Sequence, residues 1–129
     1  MLLRVGAYLW ASPTTALGLG VTAITLVTGG GCSIVSGVVE THGGFARFVL
    51  RTFVPLPGGA TAMTLGHVVI AVDAQAHELT RTHERVHVRQ YERWGPLFVP
   101  AYLGASLWQL ARGRDAYRDN PFEREAYAS

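Results

Sequence analysis

The run Thr80-Arg81-Thr82-His83-Glu84-Arg85-Val86-His87-Val88-Arg89-Gln90-Tyr91 decides how the rest of the chain is read. It lies inside a helical pattern that extends from about Ala76 to Trp94. A helix advances about 100° per residue, so side chains four apart stand about 40° apart on its surface. His83 and His87 therefore present two imidazoles to one point, with Thr80, Gln90, Tyr91 and Trp94 on the same side. Arg81, Arg85, Arg89 and Glu92 fall largely on the other side, which reads as a solvated face. Two neutral imidazoles on one turn make a rigid half of a tetrahedral metal site, and zinc suits such ligands. Glu84 adjoins the first imidazole and falls beside such an ion rather than on it, where a carboxylate can take a proton from water. The bland alternative is a polar helix whose histidines pack or cap. A strand directly before the helix favours the metal.

With its H-E-x-x-H run the sequence resembles the zincin metallopeptidases, and the third ligand separates their branches. The metzincin pattern needs Gly and His where this chain has Gln90 and Arg93, which excludes that branch. The run Asn120-Pro121-Phe122-Glu123-Arg124-Glu125-Ala126-Tyr127 is similar to the E-x-x-A signature of minimal gluzincins. Membrane zinc proteases that process prenylated or misfolded proteins share that signature. The resemblance covers Leu65 to the C-terminus and implies Glu123 as the third zinc ligand. Those membrane proteases carry Asp or His after the signature Ala, whereas this chain has Tyr127. Glu123 has a second reading: Asn120 suits an N-cap and Pro121 the first helical position, so Glu123 would complete a capping box. Glu125 is then the alternative ligand, aimed inward by a different helix rotation.

Upstream of the motif helix the pattern reads as strands. Ser33 to Glu40 and Phe45 to Phe53 are rich in β-branched and aromatic residues, with Thr41-His42-Gly43-Gly44 between them, a hairpin signal. Pro55, Pro57, Gly58 and Gly59 mark a loop, and Thr64 to Asp73 reads as a third, well-covered strand. In gluzincin-like folds the strand before the motif helix borders the cleft, so Thr64 to Val72 is expected to pair with extended peptide. Candidates for a second oxyanion donor or a supporting role are His67 on that strand, Tyr91 on the motif helix and Tyr117 before Glu123.

Two apolar stretches complete the pattern. No charged residue occurs from Val5 to Val39, and residues 8–27 are long enough to cross a bilayer or to form a core helix starting near Ser12-Pro13. Arg4 in front also suits an uncleaved signal anchor. The second stretch, Trp94 to Ala111, cannot cross: His87 and Glu123 would stand some 30 Å apart on opposite faces, beyond the reach of one ion. It is expected to pack as a core or re-entrant helix.

Composition excludes more than it assigns. All eleven basic residues are Arg, the net charge is +2, and so weak an excess does not point to nucleic acid. Cys32 is the one cysteine, so no intrachain disulfide forms. Gly29-Gly30-Gly31 before it lacks the Leu of a lipidation site.

The expected fold is α+β over one domain, 1–129, with a zincin-like core from 33 to 129. Antiparallel strands at about 33–73 precede the motif helix, an apolar helix over 97–111 and a short Glu-bearing helix from Pro121. The resemblance implies a zinc-dependent peptidase with Glu84 as general base, acting on a peptide or protein. Two other readings stay open: a zinc-binding protein without turnover, and a membrane-associated interaction protein whose motif is accidental.

Overall fold

The computed structural model describes residues 2–54 and 59–128, and side chains from Val5 onward. The expected loop at Pro55, Pro57 and Gly58, and the side chain of Arg4, lie outside the described residues. The architecture is mixed α+β. Helix α1 (Leu2–Val27) leads into strands β1 (Gly31–Val35) and β2 (Val38–His42), then helix α2 (Gly44–Thr52). Strands β3 (Ala62–Leu65) and β4 (Val68–Ala71) precede helix α3 (Ala74–Trp94). A 3-10 turn, Gly95–Leu97, joins α3 to α4 (Phe98–Ala111), and α5 (Pro121–Tyr127) closes the chain.

The sheet has the order β1-β2-β4-β3 and is mixed rather than antiparallel throughout. β2 pairs with β4 in parallel, with Val39 opposite Val68 and His42 opposite Ala71. Parallel neighbours need a crossover, and α2 supplies it. The first hairpin therefore turns at Ser36-Gly37, not at Thr41–Gly44 as the sequence suggested. Both turn residues have positive φ, 51° and 79°, the conformation that a tight two-residue hairpin turn requires.

Residues 45–53, expected as a strand, form most of α2. Their β-rich composition hid a helical period. Ala46 and Leu50, four apart, are fully buried against Val68 and Ile70, while Arg47 and Arg51, also four apart, are exposed. Burying Leu50 alone contributes about 2 kcal/mol. The expected single strand over 64–73 is a second tight hairpin, broken at Gly66 (φ 64°) and His67. β4 is buried along its whole length between two neighbours. It therefore cannot pair with a substrate, and among the described residues β3 alone in that region offers an open edge.

α3 begins where Asp73 Oδ1 accepts a hydrogen bond from Ala76 N–H at 2.8 Å, and it ends at Gly95, whose φ is 57°. A Cβ on Gly95 would fall inside the Trp10 indole, so the turn after α3 fits only glycine. α1 starts well before Ser12-Pro13 and runs through them. Pro13 has no N–H for the Leu9 carbonyl, and Ser12 Oγ donates to that oxygen instead at 2.7 Å.

The Arg side of α3 is not simply solvated. Arg81 and Arg85 both hold Glu40 of β2, which is buried, at 2.8 Å. This clamp fixes the rotation of α3 against the sheet and turns His83 and His87 toward α5.

Candidate metal centre

One turn of α3 puts His83 Nε2 and His87 Nε2 3.3 Å apart. Glu123 Oε1 lies 3.0 Å from the first and 3.1 Å from the second. This His–His–Glu group could hold a metal ion. Glu123 reaches the imidazoles because α5 is seated by Asn120, which is fully buried. Asn120 Oδ1 accepts from Phe122 N–H at 2.9 Å, and its Nδ2 donates to Tyr102 O and Ser106 Oγ. Asn120 is thus the N-cap expected, but Glu123 does not complete a capping box. Its carboxylate faces the imidazoles, and Tyr102 O–H donates to its Oε2 at 2.5 Å.

Glu125 is directed elsewhere. It accepts from Gln90 Nε2 at 2.6 Å and from Arg93 at 2.8 Å, and does not meet the imidazole pair.

Charge at the centre is uneven. Burial would raise the Glu123 carboxyl, but hydrogen bonds with His83, His87 and Tyr102 bring it down to about 2. Burial opposes charge on His87, yet the Glu123 carboxylate wins and raises its pKa. Gln90 Oε1 lies 2.8 Å from His87 Nδ1, and the Gln90 amide nitrogen is committed to Phe122 O and Glu125. Gln90 Oε1 can only accept, so the His87 proton sits on Nδ1. Neutral His87 then turns the lone pair of Nε2 toward a carboxylate oxygen. Two acceptors facing each other at 3.1 Å call for a cation or a proton between them.

Glu84 is buried, and burial pushes its pKa up. Thr64 of β3 donates to its Oε2 at 2.9 Å. A cleft of about 470 Å³ opens over His83 and Glu84, bordered by Ala60 to Ala62 leading into β3 and by Tyr117 and Tyr127. The Tyr117 and Tyr127 hydroxyls lie 2.8 Å apart, and the Tyr127 ring packs on His83 at 4.3 Å between centroids.

The structure separates the remaining candidates. Tyr117 is at the cleft. Tyr91 is buried beneath it, its hydroxyl donating to Thr64 O at 3.2 Å, so it supports β3 and offers nothing to the cleft. His67 is away from the site altogether. It sits buried in the β3–β4 turn, bonded to Glu92 at 2.7 Å and stacked on Tyr8 at 3.9 Å, because the hairpin break takes it out of the strand register.

Gln90, Tyr102, Thr64 and Tyr127 were not assigned roles from sequence. Gln90 had a signal, three residues after His87 on the same helical side. Tyr102 had only its place as a polar-tipped residue in an apolar helix. No family model, no curated protein and no solved structure matches this chain.

Proposed function

We propose that this chain is a zinc-dependent peptidase of gluzincin type, with His83, His87 and Glu123 as ligands and Glu84 as general base. One observation carries the reading: a carboxylate 36 residues downstream meets both imidazoles of an H-E-x-x-H turn with one oxygen. Bonds of about 2.0–2.1 Å in a tetrahedron hold ligand atoms roughly 3.3–3.4 Å apart. The separations of 3.0, 3.1 and 3.3 Å fit that with small adjustments. The Nδ1 proton of His87, fixed by Gln90, is the support that zinc-ligating histidines need.

When bound, zinc supplies Lewis acidity toward water and toward a carbonyl oxygen. Glu84 accepts one proton from the attacking water as its oxygen bonds to the scissile carbon. It then passes that proton to the departing amine as the C–N bond breaks. Burial suits Glu84 to this double duty by raising its pKa, and the Thr64 hydroxyl holds the carboxyl in place. Tyr117 and Tyr127 at the cleft rim offer phenol hydroxyls to a developing oxyanion. The open edge of β3 is where an extended peptide would add a strand.

A second reading is a zinc tie between α3 and α5 without turnover. The burial of Glu84 beneath the cleft and the Tyr127 ring over His83 favour it. The test is zinc analysis of the purified chain, with peptide hydrolysis by wild type and Glu84→Gln. One zinc per chain and an activity lost at least about hundredfold in the variant support the peptidase. Zinc retained without turnover in either protein supports the tie. A chain that takes up no zinc overturns both.

A further inference from the structure

α1 is turned inside out for a core helix. Its buried seam is Ala11, Thr14, Gly18, Thr22 and Thr25, spaced three and four apart and built of small side chains. Gly18 lies so close to β4 that a Cβ there would stand 2.7 Å from Val68 Cβ. Thr22 and Thr41 share a buried hydrogen bond of 2.8 Å across the same interface. The large residues point the other way: Leu9, Leu17, Leu19, Ile24 and Leu26 are all exposed. A helix packed on a core in water carries the reverse arrangement. Val5–Val27 is apolar enough to cross a membrane by length and composition, with mean hydropathy 1.3, and 22 % of its window is buried in the fold.

Beyond Phe98, which is buried in the core, α4 repeats the inversion. Tyr102, Ser106 and Gln109 turn inward to polar partners or burial, while Val99, Leu103, Leu107, Trp108 and Leu110 are exposed. α1 is tied to the turn that leads into α4, where Trp10 Nε1 donates to Arg93 O and its indole fills the space over Gly95. At the other end of α1, Thr25 and Thr28 bind the first amides of α2, whose exposed Phe48 lies among the exposed Arg47 and Arg51.

We propose that the outward faces of α1 and α4 bind the surface of an anionic lipid bilayer, with both helices lying in the headgroup–acyl boundary. A second copy of the chain fits less well. On α1 the outward apolar surface runs along the helix from Leu9 to Leu26, a convex shape that a fluid bilayer follows and a second rigid surface does not. The fringe also has interfacial character. Trp94 and Trp108 are exposed, the Arg112 guanidinium lies 5.8 Å from the Trp108 ring, and Arg47, Arg51 and Arg114 are exposed at helix ends. α1 does not cross in this fold, because its seam is sealed along the sheet. Crossing would carry the open edges of β1 and β3 and the Glu40 ion pairs to hydrocarbon depth. The inference stands apart from the metal reading, since no ligand lies on these faces.

The experiment is co-sedimentation of the full chain with phosphatidylcholine vesicles, without and with phosphatidylglycerol, alongside tryptophan quenching by brominated lipid and light scattering without lipid. Binding to both vesicles, tighter with phosphatidylglycerol, and quenching in the wild type are expected. Leu17→Asp with Leu107→Asp should lower the partition at least about tenfold. Ile34→Asp, equally exposed on β1, should leave it unchanged. Quenching of the unaltered chain decides the matter even where the double variant fails to fold. A monomer that neither sediments nor is quenched overturns the proposal, and so does a lipid-indifferent dimer dissociated by Leu17→Asp.

Discussion

Gln90 holds His87 from behind: its amide oxygen meets His87 Nδ1 at 2.8 Å, while its amide nitrogen is fixed by Phe122 O and Glu125 Oε1. Gln90 is fully buried, so one side chain orients an imidazole on α3 and anchors the start of α5. Replacing it with Leu keeps the volume but removes both functions. For the zinc site proposed above, affinity should fall roughly ten- to hundredfold, the usual effect of losing a partner behind a ligand. Competition against a chelating dye reads this directly. Unchanged affinity in a folded Gln90→Leu protein would mean that packing alone orients His87.

The two carboxylates of α5 should behave oppositely. Glu123→Gln removes the oxygen that faces both imidazoles and should abolish the zinc binding proposed for this site. Glu125→Gln weakens an exposed pair with Arg93 but keeps an amide oxygen to accept from Gln90 Nε2, and should leave zinc binding within about twofold, since exposed ion pairs are worth little. Isothermal titration of the two variants distinguishes the ligand from its neighbour. If Glu125→Gln were the one that lost zinc, α5 would have to be rotated from the orientation described.

Tyr102 tests how α4 serves the centre. Its hydroxyl donates to Glu123 Oε2, and a charge-assisted bond of this kind is worth about 2 kcal/mol. Tyr102→Phe should lose about that much stability in urea unfolding of the metal-free chain, and zinc affinity should drop with it. A Phe variant as stable as wild type in both measurements would show that the carboxylate is held by the imidazoles alone.

The parts legible in the sequence were those with strong local grammar. The period of α3, the Asn120-Pro121 start of α5 and the convergence of Glu123 on His83 and His87 all follow from spacing, capping and the E-x-x-A pattern. What misled was composition without period. Phe45, Phe48, Val49 and Phe53 look like strand, yet Ala46 with Leu50 and Arg47 with Arg51 carry the helical spacing of α2. The Gly66 break was invisible because apolar residues continue on both sides of it. The role of Arg81 and Arg85 depends on Glu40, more than forty residues away, and nothing local announces that partner. α1 was ambiguous for a physical reason, since one of its faces is sealed to a sheet and the other is apolar toward the outside.

The Glu40 clamp gives a pH dependence. Arg81 grips the carboxylate with two hydrogen bonds, and that guanidinium, together with Arg85, outweighs burial and holds the Glu40 carboxyl at about 2. A carboxyl whose pKa is depressed on folding stabilises the protein above its unfolded value near 4.5, and that contribution is lost as the pH falls toward 2. Its size is on the order of 2–3 kcal/mol, discounted for the partly exposed Arg81. The stability gap between wild type and Glu40→Gln should therefore be full at pH 6 and should shrink steadily below about pH 4.5. A gap that stayed constant down to pH 2 would show that the clamp does not depend on the Glu40 charge.

α5 is where metal binding should be felt as structure. Seven residues are too few for a helix to persist unaided in water. This one is held by the Asn120 cap, by Gln90 and by the contact of Glu123 with the imidazoles. Without a cation that last contact sets a carboxylate against the Nε2 lone pair of neutral His87, and it is firm only when His87 carries a proton. Above the raised pKa of His87, removing bound metal with a chelator should therefore release α5 first. Hydrogen exchange should show amides of 122–127 losing protection by tenfold or more, while those of β4, buried at the centre of the sheet, change little. Adding zinc back should restore protection with the stoichiometry of one ion per chain. Equal protection of α5 with and without metal would mean that capping and packing hold the helix and that the three ligands converge without needing an ion.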